Sequence, residues 1–515
     1  MNEMSPNAII VKDLLRPDRI IETHISYVFI KDEYVYKMKK AVNYGFLDFT
    51  LSQYRRSYCY LEKELNERFS KGVYLDLLKV VRKNKGFDIV PIENTLPTVE
   101  YLVKMRRLDD KDFFSTKLKN GEINVEKGFN IGRQIAILFK NIKTDYATAK
   151  ENGSYEIVKK NCEENFDQTS KYVGKFISES DYQFIKNTTM KFLNENKQLF
   201  ERRLENGYVI DGHGDLRAEH VYFDGDDIGL IDCIEFNKRF RYNDVVSDFV
   251  FLCMETDYMG YVDISDSLLS GFLSLYDDED SKRLINFYKC YRAFVRFKVG
   301  CFMLDGKDES WGLYGEKLAE VKRMADLSLS YAVNMFDTKS LIFYGMIASG
   351  KSKNGKFFAN KYAAKYLNSD VVRKEIAGVK PTDRVFDGYN EGLYSEEMTK
   401  KVYQTLADLA NKSLNNYRMV VVDGSFGKKR YLNEFLGIFR GEPIKVKFTA
   451  PDEVIYQRLD KRFEKESVSD GRPEIYEKQK KEFEDIGADL TVVTIGEPEQ
   501  NAYDIMSELK ARYEK

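Results

Sequence analysis

Hydrophobic and polar positions first alternate near the start of the chain. Residues 20–30 carry one strand-like run, Lys31-Asp32-Glu33 turns, and Tyr34-Val35-Tyr36-Lys37-Met38-Lys39 carries a second. The two-residue period puts Lys37 and Lys39 on one face. From Tyr54 to Phe69 the spacing turns helical and offers Glu62 or Glu64 as a partner for a strand lysine. Pro91 and Pro97 bracket a connection, after which Val99–Met105 reads as a strand. Residues 128–205 then read as several amphipathic helices with solvated outer faces. A different rhythm begins at Leu341. Short apolar runs (Leu341–Tyr344, Met419–Asp423, Lys445–Ala450) are separated by helical stretches, the pattern of strands buried in a parallel sheet.

The first of these runs leads into Gly345-Met346-Ile347-Ala348-Ser349-Gly350-Lys351-Ser352, which fits G-x-x-x-x-G-K-[ST]. The residues after it continue as a helix, so strand, glycine turn and helix start stand in the required order. Gly345 and Gly350 let the backbone curl, with the N–H groups around Ser349 turned toward phosphate oxygens. Lys351 is expected to reach the β/γ-phosphates and Ser352 to hold Mg²⁺. Asp423, at the C-terminal end of a buried strand, faces the ligand crevice of such a sheet and is a candidate Mg²⁺ or base residue. The motif begins at residue 345 of 515, and at about 100–200 residues per domain the chain has room for roughly three units.

Composition narrows the classes. Lys+Arg is 81 against Asp+Glu 83, a net charge of −2, so no nucleic-acid partner is expected from bulk electrostatics. The six cysteines form no C-x-x-C pair and read as thiols in a reducing compartment. No run reaches the roughly 20 apolar residues of a membrane span, and the N-terminus has no secretory apolar region. A cytoplasmic protein with no membrane association is expected.

The densest polar motif is Tyr208-Val209-Ile210-Asp211-Gly212-His213-Gly214-Asp215-Leu216-Arg217-Ala218-Glu219-His220, followed by Ile228-Gly229-Leu230-Ile231-Asp232. Asp215 and Asp232 can converge on one Mg²⁺–phosphate across the intervening hairpin. This segment resembles the catalytic loop and metal-binding acid of the aminoglycoside-phosphotransferase-like kinases, a branch of the protein-kinase fold. The resemblance implies Asp215 as catalytic base, His213 as support of its loop, Asp232 as Mg²⁺ ligand and Asp248 as the acid bracing the loop. The family's metal-binding Asn is His220 here. By the same resemblance Lys37, with Lys39 as fallback, pairs with Glu62 and touches the nucleotide, and Leu102–Met105 is the strand beside the adenine. No G-x-G-x-x-G covers the phosphates; Glu22–Ser26 stands in its place. The likeness runs over residues 10–335 and is specific at 213–248. Lys289, Arg292 and Arg296 share a helical face in the lobe that receives the acceptor, so Arg292 and Arg296 are candidates for gripping an anionic substrate.

Residues 338–515 are similar to P-loop small-molecule kinases of the gluconate- and zeta-toxin-like type. That likeness implies Asp370 and Arg373 as acceptor-binding residues, and Arg458, Arg462 and Arg472 as lid arginines over the transferred phosphoryl group. The order of the halves resembles a bacterial and archaeal fusion family. The expected architecture is therefore an α+β bilobal protein-kinase-like domain at 1–335 (lobes about 1–105 and 106–335), then an α/β P-loop NTPase domain with a parallel sheet at 338–515. The expected activity is ATP- and Mg²⁺-dependent phosphoryl transfer to hydroxyls of small metabolites at two nucleotide sites. The alternative is that only the P-loop half is catalytic and the first half binds or regulates. The oligomeric state is not legible.

Overall fold

A computed structural model of the chain describes residues 4–45, 47–84, 86–380, 392–462 and 473–513. It divides into two compact units. One is Met1–Asn161, Asn196–Glu255 and Ser267–Asp280; the other is Cys162–Glu195, Thr256–Asp266 and Ser281–Lys515.

The first unit opens with a six-stranded antiparallel sheet: β1 (Arg19–Glu22), β2 (Ser26–Lys31), β3 (Tyr34–Lys39), β4 (Tyr74–Lys83), β5 (Gly86–Pro91) and β6 (Thr98–Arg106), in the order β1-β2-β3-β6-β4-β5. The run expected as one strand over 20–30 is itself a hairpin, with Glu22 opposite Tyr27. Its turn is closed by a side chain, since the Thr23 hydroxyl accepts from the Ser26 N–H at 2.9 Å. No glycine or Asn-Gly pair announces it. On β3 the alternation sorts the side chains. Met38 packs with Ala8 and Val11 of the helix Pro6–Leu15 on one face, which leaves Lys37 and Lys39 on the other. That second face is covered by the helix Ser52–Glu67, whose buried positions Arg55, Cys59, Glu62 and Asn66 recur at helical spacing. Beyond the sheet the unit is mainly helical and carries two small antiparallel ribbons. β7 (Val209–Asp211) pairs with β10 (Tyr242–Asp244), and β8 (Val221–Asp224) pairs with β9 (Asp227–Leu230). The ribbons hold the loops 212–220 and 231–235.

The second unit is built on a five-stranded, fully parallel sheet of order β12-β13-β11-β14-β15. Its strands are β11 (Ser340–Tyr344), β12 (Lys365–Asn368), β13 (Val420–Asp423), β14 (Ile444–Thr449) and β15 (Leu490–Val493). Helices cover both faces. Val402, Tyr403, Leu406 and Ala410 of the helix Glu396–Asn415 pack with Ile342, Val420 and Val422. Opposite them, the Phe358 ring of the helix Lys351–Tyr362 lies 5.8 Å from that of Phe343. This is the doubly wound arrangement in which strand C-termini line a ligand crevice.

Arg418, just before β13, is buried and donates to Asp257 Oδ1 (2.7 Å), to Asp266, and to the Ala363 carbonyl (2.7 Å). Asp257 also accepts from Lys289 (3.0 Å) and the Tyr331 hydroxyl (2.7 Å). The cationic face expected of the helix Glu279–Leu304 is therefore not open to an anion. Lys289 is committed to Asp257, Arg296 donates to Glu320 at 2.8 Å, and Arg292 is buried at 4% exposure. Arg292 is one of the fifteen buried positions of that helix, and Arg296 is half-buried. All six cysteines are buried thiols. Among the described residues no helix is long and apolar enough to cross a membrane.

Candidate functional sites

In the first unit the loop 212–220 is fixed from below by Asp248, on the helix Val245–Tyr258. Its carboxylate accepts from the His213 N–H at 2.5 Å and the Gly214 N–H at 2.8 Å. A Cβ on Gly212 would come within 2.3 Å of an Asp248 oxygen, so a glycine there lets the acid approach. His213 is wholly buried. Its Nε2–H donates to the Ile231 carbonyl at 2.8 Å, and its Nδ1 accepts from the Asp215 N–H at 3.3 Å. Burial, reinforced by neighbouring His220, lowers its pKa to about 4, so the ring is neutral near pH 7. His213 thus stitches the Asp215 loop to the strand end that carries Asp232.

His220 lies between the two acids. Its Nδ1–H donates to the Asp215 carbonyl at 2.8 Å and sits 3.7 Å from the Asp215 carboxylate, while its Nε2 is 3.8 Å from Asp232 Oδ2. Because a carbonyl only accepts, Nδ1 carries the hydrogen, and in the neutral ring Nε2 offers its lone pair on the Asp232 side. Asp232 itself has φ +66°, a left-handed backbone uncommon outside glycine, and its N–H donates to the Tyr74 hydroxyl at 3.1 Å.

Lys37 reaches Asp232 directly and Glu62 Oε1 at 2.7 Å. Of the two glutamates considered, Glu62 is buried and Glu64 is exposed. Lys39 shares Glu62, at 2.7 Å from Oε2, and pairs with Glu235 as well. Sequence reasoning missed Glu235, although it stands three residues after Asp232. Burial opposes the charge on Lys37, but Asp232 and then Glu62 outweigh it and raise its pKa well above the ordinary value. Burial also acts to raise Asp232, and Lys37 and then His220 overcome it, so the carboxyl is held well below the usual range. The result is a lysine charged at any physiological pH between two ionised acids.

In the second unit the phosphate loop closes as its glycines require. Gly345 has φ +143° and Gly350 φ +91°, and a Cβ on Gly345 would meet the Phe448 carbonyl oxygen at 2.3 Å. Gly350 is the N-cap of the helix that begins at Lys351. The Lys351 ammonium folds back onto the Gly345 and Met346 carbonyls, each at 3.0 Å, and the Ser349 hydroxyl is buried without a partner. A lysine resting on loop carbonyls and an orphaned hydroxyl inside a curl of N–H groups fit a phosphate.

The loop opens into a cavity of about 480 Å³ lined by Lys351, Ser352, Asp370, Arg373, Asp423 and Arg458, among others. Asn368 organises one wall. Its carbonyl oxygen caps the helix Ser369–Ile376 by accepting from the Asp370 and Val371 N–H groups (3.0 and 3.1 Å), and its amide donates to Asp423 Oδ2 at 2.9 Å. Asn368 is thus the N-cap of that helix. Arg373 is buried, donates to the Leu393 carbonyl (2.8 Å) and the Thr399 hydroxyl (3.1 Å), and lies over the Tyr394 ring at 4.9 Å. Arg458, expected as a lid cation, braces the loop: it donates to the Ala348 carbonyl at 3.1 Å and to Thr494 Oγ1 at 2.9 Å. Thr494 in turn donates to the Ser349 carbonyl at 2.7 Å. Arg462 ends the same helix, Asp452–Arg462; its side chain, like Arg472, lies outside the described residues.

These features define each part: a six-stranded antiparallel sheet with a mainly helical remainder in the first unit, and an α/β P-loop domain with a parallel sheet in the second. Residues 341–486 match the family model described as an AAA domain. An uncharacterised protein of Mycobacterium tuberculosis is 26% identical over 407 residues, 79% of this chain and 78% of that protein. Among solved structures, a Plasmodium vivax ethanolamine kinase is similar over 59% of this chain and 81% of its own, at 13% identity and a TM-score of 0.37. A sugar kinase from Janibacter sp. HTCC2649 is similar over 33% of this chain and 94% of its own, at 16% identity and a TM-score of 0.27.

Proposed function

We propose that the chain is an ATP-dependent phosphotransferase with two nucleotide sites, each passing a γ-phosphoryl group to the hydroxyl of a small metabolite such as a sugar or aminoglycoside-like alcohol. The observation that carries the P-loop half of this reading is a cavity shared by Lys351, Ser352, Asp423, Asp370 and Arg373. Mg²⁺–ATP supplies the phosphoryl group and part of the charge neutralisation when bound. The chain's own residues do the rest. Lys351 exchanges two carbonyl contacts for phosphate oxygens, and the N–H groups of the loop and helix start complete the cradle. Ser352 and Asp423 would serve the cation, and Asp370 would receive the proton of the acceptor hydroxyl. Arg373 orients the acceptor, and Arg458 keeps the loop in its curled form.

In the first unit Lys37 grips phosphate while Glu62 holds it in place, Asp232 and His220 serve the cation, and Asp215 orients the alcohol and takes its proton. A metabolite-library screen for ADP release, run on the full chain and on Lys351→Ala and Asp215→Asn, tests the proposal. Each substitution is expected to abolish turnover of one class of acceptor. Wild-type turnover in both variants sinks it. A second reading is favoured by one observation: His220, a nitrogen ligand, stands where an oxygen ligand suits Mg²⁺ better. On that reading the first unit binds or regulates and only the P-loop site transfers phosphate, so Asp215→Asn changes no acceptor's turnover.

A further inference from the structure

Tyr366 plays no part in the phosphate loop motif, yet its hydroxyl lies against Asp423, a wall residue of the P-loop cavity. It lies on β12, two residues before Asn368, so both side chains share a face, and Asn368 stands directly across from Asp423 on β13. The Tyr366 hydroxyl donates to Asp423 Oδ2, the same oxygen that accepts from Asn368, and the Asn368 amide also reaches the Tyr366 oxygen at 3.2 Å. Both donors meet Oδ2, so Oδ1 carries no protein donor among the described residues, while Asp423 lines the cavity.

A second observation comes from the helix Lys351–Tyr362. Gly355 lies in its interior, where glycine is unfavourable relative to alanine, and a Cβ there would come within 2.6 Å of the Tyr366 ring. The helix that carries Lys351 and Ser352 thus gives up a side chain to seat this ring.

We propose that Tyr366 is a positioning residue of the P-loop site. Its hydroxyl anchors one oxygen of Asp423 and so fixes the other opposite Ser352, where the two share a divalent cation. The inference rests on the P-loop reading above. A ring that merely filled space would serve as well without its oxygen. The proposal requires the oxygen.

The test is calorimetric titration of the full chain with ADP, with Mg²⁺ and with the metal chelated. The component lost in Lys351→Ala defines the P-loop site. Tyr366→Phe is expected to weaken that component about tenfold in Mg²⁺ and to leave metal-free ADP binding within about twofold. Gly355→Ala, which displaces the ring with its hydroxyl intact, is expected to give the same Mg²⁺-selective loss. Unchanged Mg²⁺–ADP binding in Tyr366→Phe overturns the inference, as does an equal loss with and without Mg²⁺, the mark of a purely structural role. If Lys351→Ala removes no component at all, the P-loop reading falls first and the inference with it.

Discussion

Asp248→Asn keeps the shape of the side chain that braces the Asp215 loop and removes its charge and one acceptor oxygen. In the native protein the carboxylate accepts from the His213 and Gly214 N–H groups at 2.5 and 2.8 Å, at a wholly buried position. An asparagine satisfies one of these amides and turns an NH₂ toward the other. A buried N–H is then left facing a donor, and a charge-assisted bond becomes a neutral one. Such a change costs about 2–3 kcal/mol locally. If the loop opens by local unfolding, that cost appears as exchange of the two amides about 30- to 150-fold faster. Hydrogen exchange read by mass spectrometry on a peptide covering 211–216 measures it, with a peptide covering β13 as the internal control. Equal exchange of the loop in the two proteins would refute the claim that Asp248 holds it.

The remaining expectations concern the buried ionic networks. Arg418→Met strands Asp257 and Asp266, and the second unit is expected to lose about 3–5 kcal/mol, read as a lower urea midpoint. Burial acts to raise the Asp257 pKa, but Arg418 and then Lys289 bring it below the ordinary value. Its pairing therefore stabilises the fold above the usual carboxylate range and is lost as the pH falls through the depressed pKa. The deficit of Arg418→Met should shrink as the pH drops below about 4; a deficit independent of pH would contradict the pairing. At the other network, Lys39→Met is expected to cost about 3–5 kcal/mol, because it leaves Glu235 buried without its cation, whereas Glu235→Leu leaves Lys39 on Glu62 and costs less. The double variant should recover most of that loss. Additive losses in thermal or urea unfolding would show that the pair is not coupled.

Legibility in the sequence followed locality. The phosphate loop was readable because its glycines, strand and helix start are contiguous and each is demanded by backbone geometry. The pairing of Lys37 with Glu62 was readable from strand alternation and helical spacing once the resemblance supplied a fold. What the sequence hid was choice among distant partners. Lys39 and Glu235 are buried together although 196 residues apart, and neither residue type signals burial. Arg458 looked like a lid cation because helical spacing says nothing of Thr494, which reaches it from the end of β15. Asn368 took the cap that Ser369 and Asp370 also suit, because only the neighbouring strand brings Asp423 against it. The strands β4, β5 and β15 went unread: their apolar residues fit no clean two-residue alternation, and their pairing partners supply the rest. A shared helical face suggests a ligand for Arg292 and Arg296, but helical spacing cannot tell a solvated face from a buried one, and Arg292 is buried.

Two nucleotide pockets in one polypeptide is the claim on which everything else depends, and counting bound nucleotide tests it most directly. Calorimetric titration of the full chain with Mg²⁺–ADP should give two molecules bound per chain, falling to one in Lys351→Ala, to one in Lys37→Met, and to none in the double variant. A single site in the wild-type chain, or a second site untouched by Lys37→Met, would contradict it.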